Sequence, residues 1–176
     1  MANEHIDEEF NIMYTDPGSK KVLDSKTFAT PLKNLSAPKP ITVDIGSSVR
    51  EALTMMQLKQ FGCVLITQDE KLVGILTERD IIAKALHDEI NLEDMKVDDV
   101  MTRNPESFQP DDSIAFVMNA MTVGGYRHVP VVDDKNVPLA IVSVRDIIGF
   151  IVGFFSEEVL NLPPKPVRKT STQDGG

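Results

Sequence analysis

The sequence predicts an α+β protein, a tandem repeat of two β-α-β-β-α units packed sheet to sheet around a pseudo-two-fold axis. Three observations carry this. First, LVGILTERDII at residues 72–82 returns as PLAIVSVRDII at residues 138–148. Each copy is an apolar strand ending in a hydroxyl residue with Asp three positions on, and the pairs Thr77/Asp80 and Ser143/Asp146 lie 66 apart (143 minus 77). Second, Val49, Ala52, Leu53 and Met56 fall at i, i+3, i+4 and i+7, one helical face. Ile114, Val117, Met118 and Met121 repeat that face at an offset of 65. Third, a unit of roughly 55 residues struggles to bury its own apolar face. Two copies can share one core, and their seam creates two equivalent clefts.

The elements follow in order. Residues 1–31 begin acidic, carry a turn at Asp16-Pro17-Gly18-Ser19 and have no later counterpart, so they read as an N-terminal extension. The first repeat spans 32–90. Ile41-Thr42-Val43 is a short extended piece, and Ser48 with Glu51 has capping-box spacing ahead of a helix that Phe61-Gly62 breaks. Cys63 to Thr67 and Leu72 to Leu76 read as strands around a polar turn, and Thr77 to Leu86 as a helix. A polar linker, His87 to Met95, follows. The second repeat spans 91–155. Asn104 to Phe108 match Lys39 to Val43, Gly124-Gly125 ends the helix, and His128 to Val132 and Pro138 to Val142 are the strands. One extra residue in this hairpin moves the offset from 65 to 66. Asp146 to Phe155 is the closing helix. Residues 156–176 hold Pro163, Pro164 and Pro166 and end in STQDGG, the composition of a largely disordered tail.

Composition narrows the function. A net charge of −9 offers no broad cationic face for phosphates and argues against a nucleic-acid partner. The longest apolar run, Ile147 to Phe155, is broken by Gly149 and Gly153 and falls far short of the ~20 residues that span a bilayer. No membrane partner is expected. MANEHIDEEF lacks a signal peptide's basic start and apolar stretch, and the single Cys63 gives no intrachain disulfide, so a cytoplasmic protein is expected. His5, His87 and His128 are scattered without metal-ligand spacing. There is no P-loop, dinucleotide fingerprint or nucleophile-base-acid order. No enzyme and no metal site are expected. Cys63 reads as a core residue, and the Asp98-Asp99, Asp111-Asp112 and Asp133-Asp134 pairs as turn and helix-start caps.

The repeated motif has two compatible readings. Thr77-x-x-Asp80 and Ser143-x-x-Asp146 fit a capping box, in which the hydroxyl accepts a free N–H and Asp reaches back. From spacing alone this outweighs a ligand site. The same geometry suits a nucleotide. A strand running into a helix start presents free N–H groups to a phosphate, Asp can accept from vicinal ribose hydroxyls, and Arg79 or Arg145 can hold phosphate oxygens.

The motif order over about residues 32–155 makes the resemblance specific. PITVDIGSSVREALTMM with CVLITQDEKLVGILTERDI, and PESFQPDDSIAFVMNAM with YRHVPVVDDKNVPLAIVSVRDI, together resemble a pair of CBS domains, a Bateman module. The resemblance implies a non-catalytic regulatory module binding AMP, ADP or ATP, with no covalent cofactor and with Mg2+ accompanying ATP. It implies that Asp80 and Asp146 take ribose hydroxyls and that Thr77 and Ser143 sit by ribose or phosphate. Backbone around Ile41-Thr42 and Glu106-Ser107 would line the adenine, with the strands entered at Gly62-Cys63-Val64 and Tyr126-Arg127-His128-Val129-Pro130. The second copy matches the family's strand pattern more fully, and its cleft is favoured. A homodimer is implied, with Ile151, Phe154 and Phe155 as interface material, along with a regulated partner of unknown identity. The alternative is a ligand-free interaction scaffold in which the T/S-x-x-D motifs only cap helices.

Overall fold

The computed structural model describes residues 23–24, 26–85 and 91–155. Both histidines outside the repeats' strands (His5, His87), the first 22 residues, Leu86 and the Pro-rich tail lie outside them. Six strands are formed: β1 (Thr42–Asp44), β2 (Cys63–Gln68), β3 (Lys71–Thr77), β4 (Thr102–Arg103), β5 (His128–Val132) and β6 (Pro138–Ser143). The helices are α1 (Val49–Lys59), α2 (Glu78–Ala85), α3 (Val97–Val100), α4 (Ile114–Gly124) and α5 (Val144–Val152). The protein is α+β, as the periodicities predict.

The first sheet has the order β1-β2-β3-β4 and the second pairs β5 with β6. β1 runs parallel to β2, and β2 and β3 form the hairpin in which Cys63 faces Thr77. The second hairpin places His128 opposite Ser143. The second repeat forms no full counterpart of β1. Only Phe108 bridges Val131, flanked by bonds from Phe108 N to Pro130 O (3.0 Å) and from Val132 N to Phe108 O (2.8 Å). The reason is covalent. In the first repeat Leu65 N donates to Ile41 O at 2.9 Å. Pro130 occupies the Leu65 position and Pro110 the Ile45 position, whose amide donates to Thr67 O at 2.9 Å in the first repeat. Neither proline has an N–H, so the ladder loses a rung at each end.

The helices end and begin as their local chemistry requires. Ser48 accepts from Glu51 N at 3.1 Å and starts α1. The break comes at Gln60 rather than at Phe61-Gly62, because Gln60 adopts the left-handed conformation (φ 55°) that its counterpart Gly125 takes in α4 (φ 69°). The closing helix starts at Val144, two residues before Asp146, because Ser143 serves as the residue that caps it.

Two apolar clusters hold the strands. One buries Val49, Ala52 and Met56 of α1 against Val64, Ile66 and Leu76, together with Val97, Val100 and Met101. The other is the seam, where Cys63, Leu65, Leu72 and Ile75 of the first sheet meet Val132 and Ile141 of the second. Alternation along β2 sends Val64 and Ile66 to the first cluster and Cys63 and Leu65 to the second. The segment before each repeat packs on the other repeat. Val97 N donates to Ser47 O (3.0 Å) and Leu32 N to Asp112 O (2.8 Å), while Val49 N donates to Met95 O and Ile114 N to Thr30 O (both 2.9 Å). Each pair of bonds is related by the offset of 65, which is the pseudo-two-fold at the level of single hydrogen bonds. Contacts divide the chain into a large unit, Asp24–Ile148, and a second that includes Gly149 onward, where Phe150 and Phe154 meet edge to face at 5.2 Å.

Candidate functional site

Both repeated motifs fold into the same local structure. Asp80 Oδ2 accepts from Thr77 N (3.0 Å) and Thr77 Oγ1 (2.7 Å), and Thr77 Oγ1 accepts from Asp80 N (3.2 Å). Asp146 Oδ2 accepts from Ser143 N and Ser143 Oγ (both 2.6 Å), and Ser143 Oγ accepts from Asp146 N (3.3 Å). The capping box is therefore made in full at the starts of α2 and α5. It uses one oxygen of each carboxylate and leaves the other for a different partner.

That second oxygen distinguishes the halves. Asp80 Oδ1 accepts from Lys84 Nζ at 3.2 Å and from Thr102 Oγ1 at 3.5 Å. Asp146 Oδ1 has no hydrogen-bond partner among the described residues. The extended pieces at Ile41 and Glu106 differ likewise. The Ile41 carbonyl takes the Leu65 amide, whereas the Glu106 carbonyl receives no hydrogen bond among the described residues, because Pro130 cannot donate. Strand register sets Glu106-Ser107-Phe108 beside β5, and β5 beside the strand that ends at Ser143. Among the described residues the second repeat thus has an open carbonyl on one side of β5 and an open carboxylate oxygen at the end of β6 on the other.

The comparisons with known proteins address this arrangement. A CBS domain model matches residues 32–87 and again residues 97–153. The chain belongs to the CBS domain family. Its CBS pair is 33% identical over 107 residues to the CBS domain-containing protein CBSCBSPB1 of Arabidopsis thaliana, covering 60% of this chain and 20% of that protein. It is 33% identical over 109 residues to inosine-5'-monophosphate dehydrogenase of Methanocaldococcus jannaschii, covering 61% of this chain and 21% of the enzyme. The matched part is about a fifth of the length of these relatives. Among solved structures, the CBS domain pair of protein MJ0100 in complex with methylthioadenosine and S-adenosyl-L-methionine aligns with a TM-score of 0.64 at 28% identity, covering 71% of this chain and 98% of that one. The CBS domain NE2398 aligns at 0.61 with 31% identity, covering 65% of this chain and 89% of that one.

The CBS pair brings the remaining candidate residues to different places. Arg79 crosses between repeats and donates to the Gly125 carbonyl at the end of α4 (3.4 Å). Arg127 and Arg145 are exposed. Val64 and Val129 are fully buried, so only their backbones can border a cleft. Tyr126 donates its hydroxyl to Glu106, which joins two of the candidate residues directly. Partial burial and that bond push the Tyr126 phenol up to about 12. Glu106, Ser107 and Phe108 also border a cavity of about 460 Å³ running along α4, which does not reach Ser143 or Asp146.

The centre of the CBS pair joins residues of both repeats. A Cβ added at Gly62 would lie 3.5 Å from Glu78 Oε2 and 3.8 Å from His128 Cε1, so residues of both repeats converge there. Burial pushes the Cys63 thiol up to about 12, and the Glu78 and Asp146 carboxylates add to it, which removes the thiolate a nucleophile needs. Burial and neighbouring Arg127 lower the His128 pKa against the opposing pull of Asp146 and Glu78, which favours the neutral imidazole. Asp99 accepts from Lys96 N, Asp112 from Gln109 N, and Asp133 from Lys135 N and Val137 N, so one member of each acidic pair caps a turn or helix start. The other members make long-range contacts instead, Asp98 with Gly46 N, Asp111 with Lys33 and Asp134 with Gln109. Among the described residues no group of three or more His, Cys, Asp or Glu is placed to hold a metal, and no helix is long and apolar enough to cross a membrane.

Sequence reasoning missed Lys84, Thr102 and the reach of Arg79. Lys84 stands four residues after Asp80, a spacing that pairs charges on a helix and was legible. Thr102 and Gly125 reach these residues only through tertiary packing.

Proposed function

We propose that this CBS pair is a non-catalytic regulatory module that takes an adenine nucleotide (AMP, ADP or ATP) in its second cleft and relays the binding to a partner protein. The observation that carries the reading is that the second repeat leaves two acceptors open among the described residues, Asp146 Oδ1 and the Glu106 carbonyl, one on each side of β5. A ribose offers two vicinal hydroxyl donors and adenine an amino donor, so an adenosine group supplies what both acceptors lack. The MJ0100 pair, crystallised with two adenosine compounds, supports the same ligand class. The nucleotide's phosphates would draw Arg79 from its long bond to Gly125, and any Mg2+ would arrive with ATP. Releasing that inter-repeat tie would favour a second arrangement of the repeats and so change a partner's contacts. The buried thiol of Cys63 suits a cytoplasmic setting.

Isothermal titration against AMP, ADP, ATP and S-adenosylmethionine tests this reading. Binding by one of them in the micromolar range, lost in Asp146→Ala, is the expected result. Flat traces from folded, nucleotide-free protein would instead favour the scaffold reading, which the completed capping bonds at Thr77 and Ser143 support.

The module would act as a homodimer. Exposed apolar residues recur in repeat-related pairs, Leu58 (72% exposed) with Val123 (80%) and Ile82 (63%) with Ile148 (54%). Apolar groups matched by the internal symmetry suit a self-complementary face. Ile151, Phe154 and Phe155 would add to it. A monomeric mass in light scattering at micromolar concentration would defeat this assignment.

A further inference from the structure

We propose that the two clefts of this chain are unequal because Lys84 and Thr102 fill the ligand position of the first, leaving one working nucleotide site per chain. The proposal rests on the nucleotide reading above and adds to it the residues that select between the clefts.

The argument starts at Asp80. To take two vicinal hydroxyls while capping its own helix, a carboxylate needs its second oxygen free. Asp80 Oδ1 is engaged by the Lys84 ammonium at 3.2 Å and faces Thr102 Oγ1 at 3.5 Å. Lys84 is not a loose surface charge. Its Nζ also donates to the Val100 carbonyl at 2.7 Å, the last residue of α3, where the helix end is electronegative. Two acceptors from different elements fix one ammonium over the Asp80 oxygen. Asp80 itself is largely withdrawn from water, with its side chain 16% exposed. A ribose entering here would have to displace a charge-assisted hydrogen bond, which is stronger than the neutral bonds it would form.

The internal repeat supplies the control. By sequence offset the counterpart of Lys84 is Phe150 (offset 66) and that of Thr102 is Ala37 (offset 65). Neither can donate from its side chain, and Asp146 Oδ1 is correspondingly unpartnered among the described residues. The cap and the hairpin pairing that leads into it are shared by both halves, so the difference at the second carboxylate oxygen follows these two substitutions.

Titration of the full chain with the nucleotide that binds it tests the proposal. The unaltered chain is expected to bind one equivalent, and Asp146→Ala none. Lys84→Met keeps the apolar stem and removes the ammonium. Alone or with Thr102→Val, it is expected to raise the stoichiometry from one to two, and adding Asp80→Ala should return it to one. Circular dichroism checks that each variant is folded. Two equivalents bound by the unaltered chain, or one retained by Asp146→Ala, would overturn the proposal while leaving a nucleotide-binding module. So would a stoichiometry of one in the folded Lys84→Met/Thr102→Val chain. Absence of binding in every chain would overturn the nucleotide reading itself.

Discussion

The amide of Leu65 donates to the carbonyl of Ile41 at 2.9 Å, and Pro130, in the same position of the second repeat, cannot make that bond to Glu106. That residue decides whether the carbonyl at this position is paired in the sheet or left as an open acceptor, while Pro110, at the Ile45 position, removes the donor at the other end of the ladder. Pro130→Ala would restore a donor. It should lengthen the pairing at Glu106 and weaken nucleotide binding by roughly tenfold, a cost of about 1.4 kcal/mol. Titration checks the affinity, and amide exchange at residue 130 checks for the new bond.

The two aspartates should differ in what they hold. Asp146→Ala removes a helix cap and should cost about 1 kcal/mol of stability. Asp80→Ala removes an equivalent cap and also the charge-assisted contact from Lys84 to a carboxylate only 16% exposed. It should therefore cost somewhat more. Urea unfolding of the two variants gives the order, and equal losses would mean that the Lys84 contact contributes nothing.

Gln60 occupies a left-handed position with φ 55°, where its counterpart is Gly125. A side chain there costs roughly 1–2 kcal/mol relative to glycine, partly offset by glycine's greater freedom when unfolded. Gln60→Gly should stabilise the protein by about 0.5–1 kcal/mol, read as a rise in the midpoint of thermal unfolding.

His128 should make stability depend on pH. Its folded pKa is lowered from 6.5 by burial and by Arg127. As pH falls below about 6.5 the unfolded chain takes up a proton that the folded chain resists, so stability declines until the folded pKa is passed and then levels off. His128→Gln should flatten this part of the profile in unfolding experiments run between pH 7 and pH 5. An unchanged slope would assign the dependence to other groups.

The sequence by itself determined the duplication, and with it the fold. Of the predicted face, Val49, Ala52 and Met56 and their repeats Ile114, Val117 and Met121 are buried, while Leu53 and Met118 at its margin are half-buried, because a 3.6-residue period of apolar side chains has few other ways to leave water. The caps at Thr77 and Ser143 were equally legible, since hydroxyl-x-x-Asp is a local bond pattern that needs only one turn of helix. The limits of local reading appear at Ser143, where the helix starts two residues before Asp146, because the cap and not the periodicity sets the boundary.

Tertiary structure alone decided what each carboxylate does with its second oxygen. Thr102 lies 22 residues from Asp80 in the chain, and Val100, which anchors Lys84, lies 16 residues from it. The segment before each repeat also packs on the opposite repeat, through Val97 to Ser47 and Leu32 to Asp112. Such contacts depend on the path of the chain through space. Periodicity reports which face of an element is apolar, but it carries no information about which distant polar group will meet that element once the apolar faces have closed.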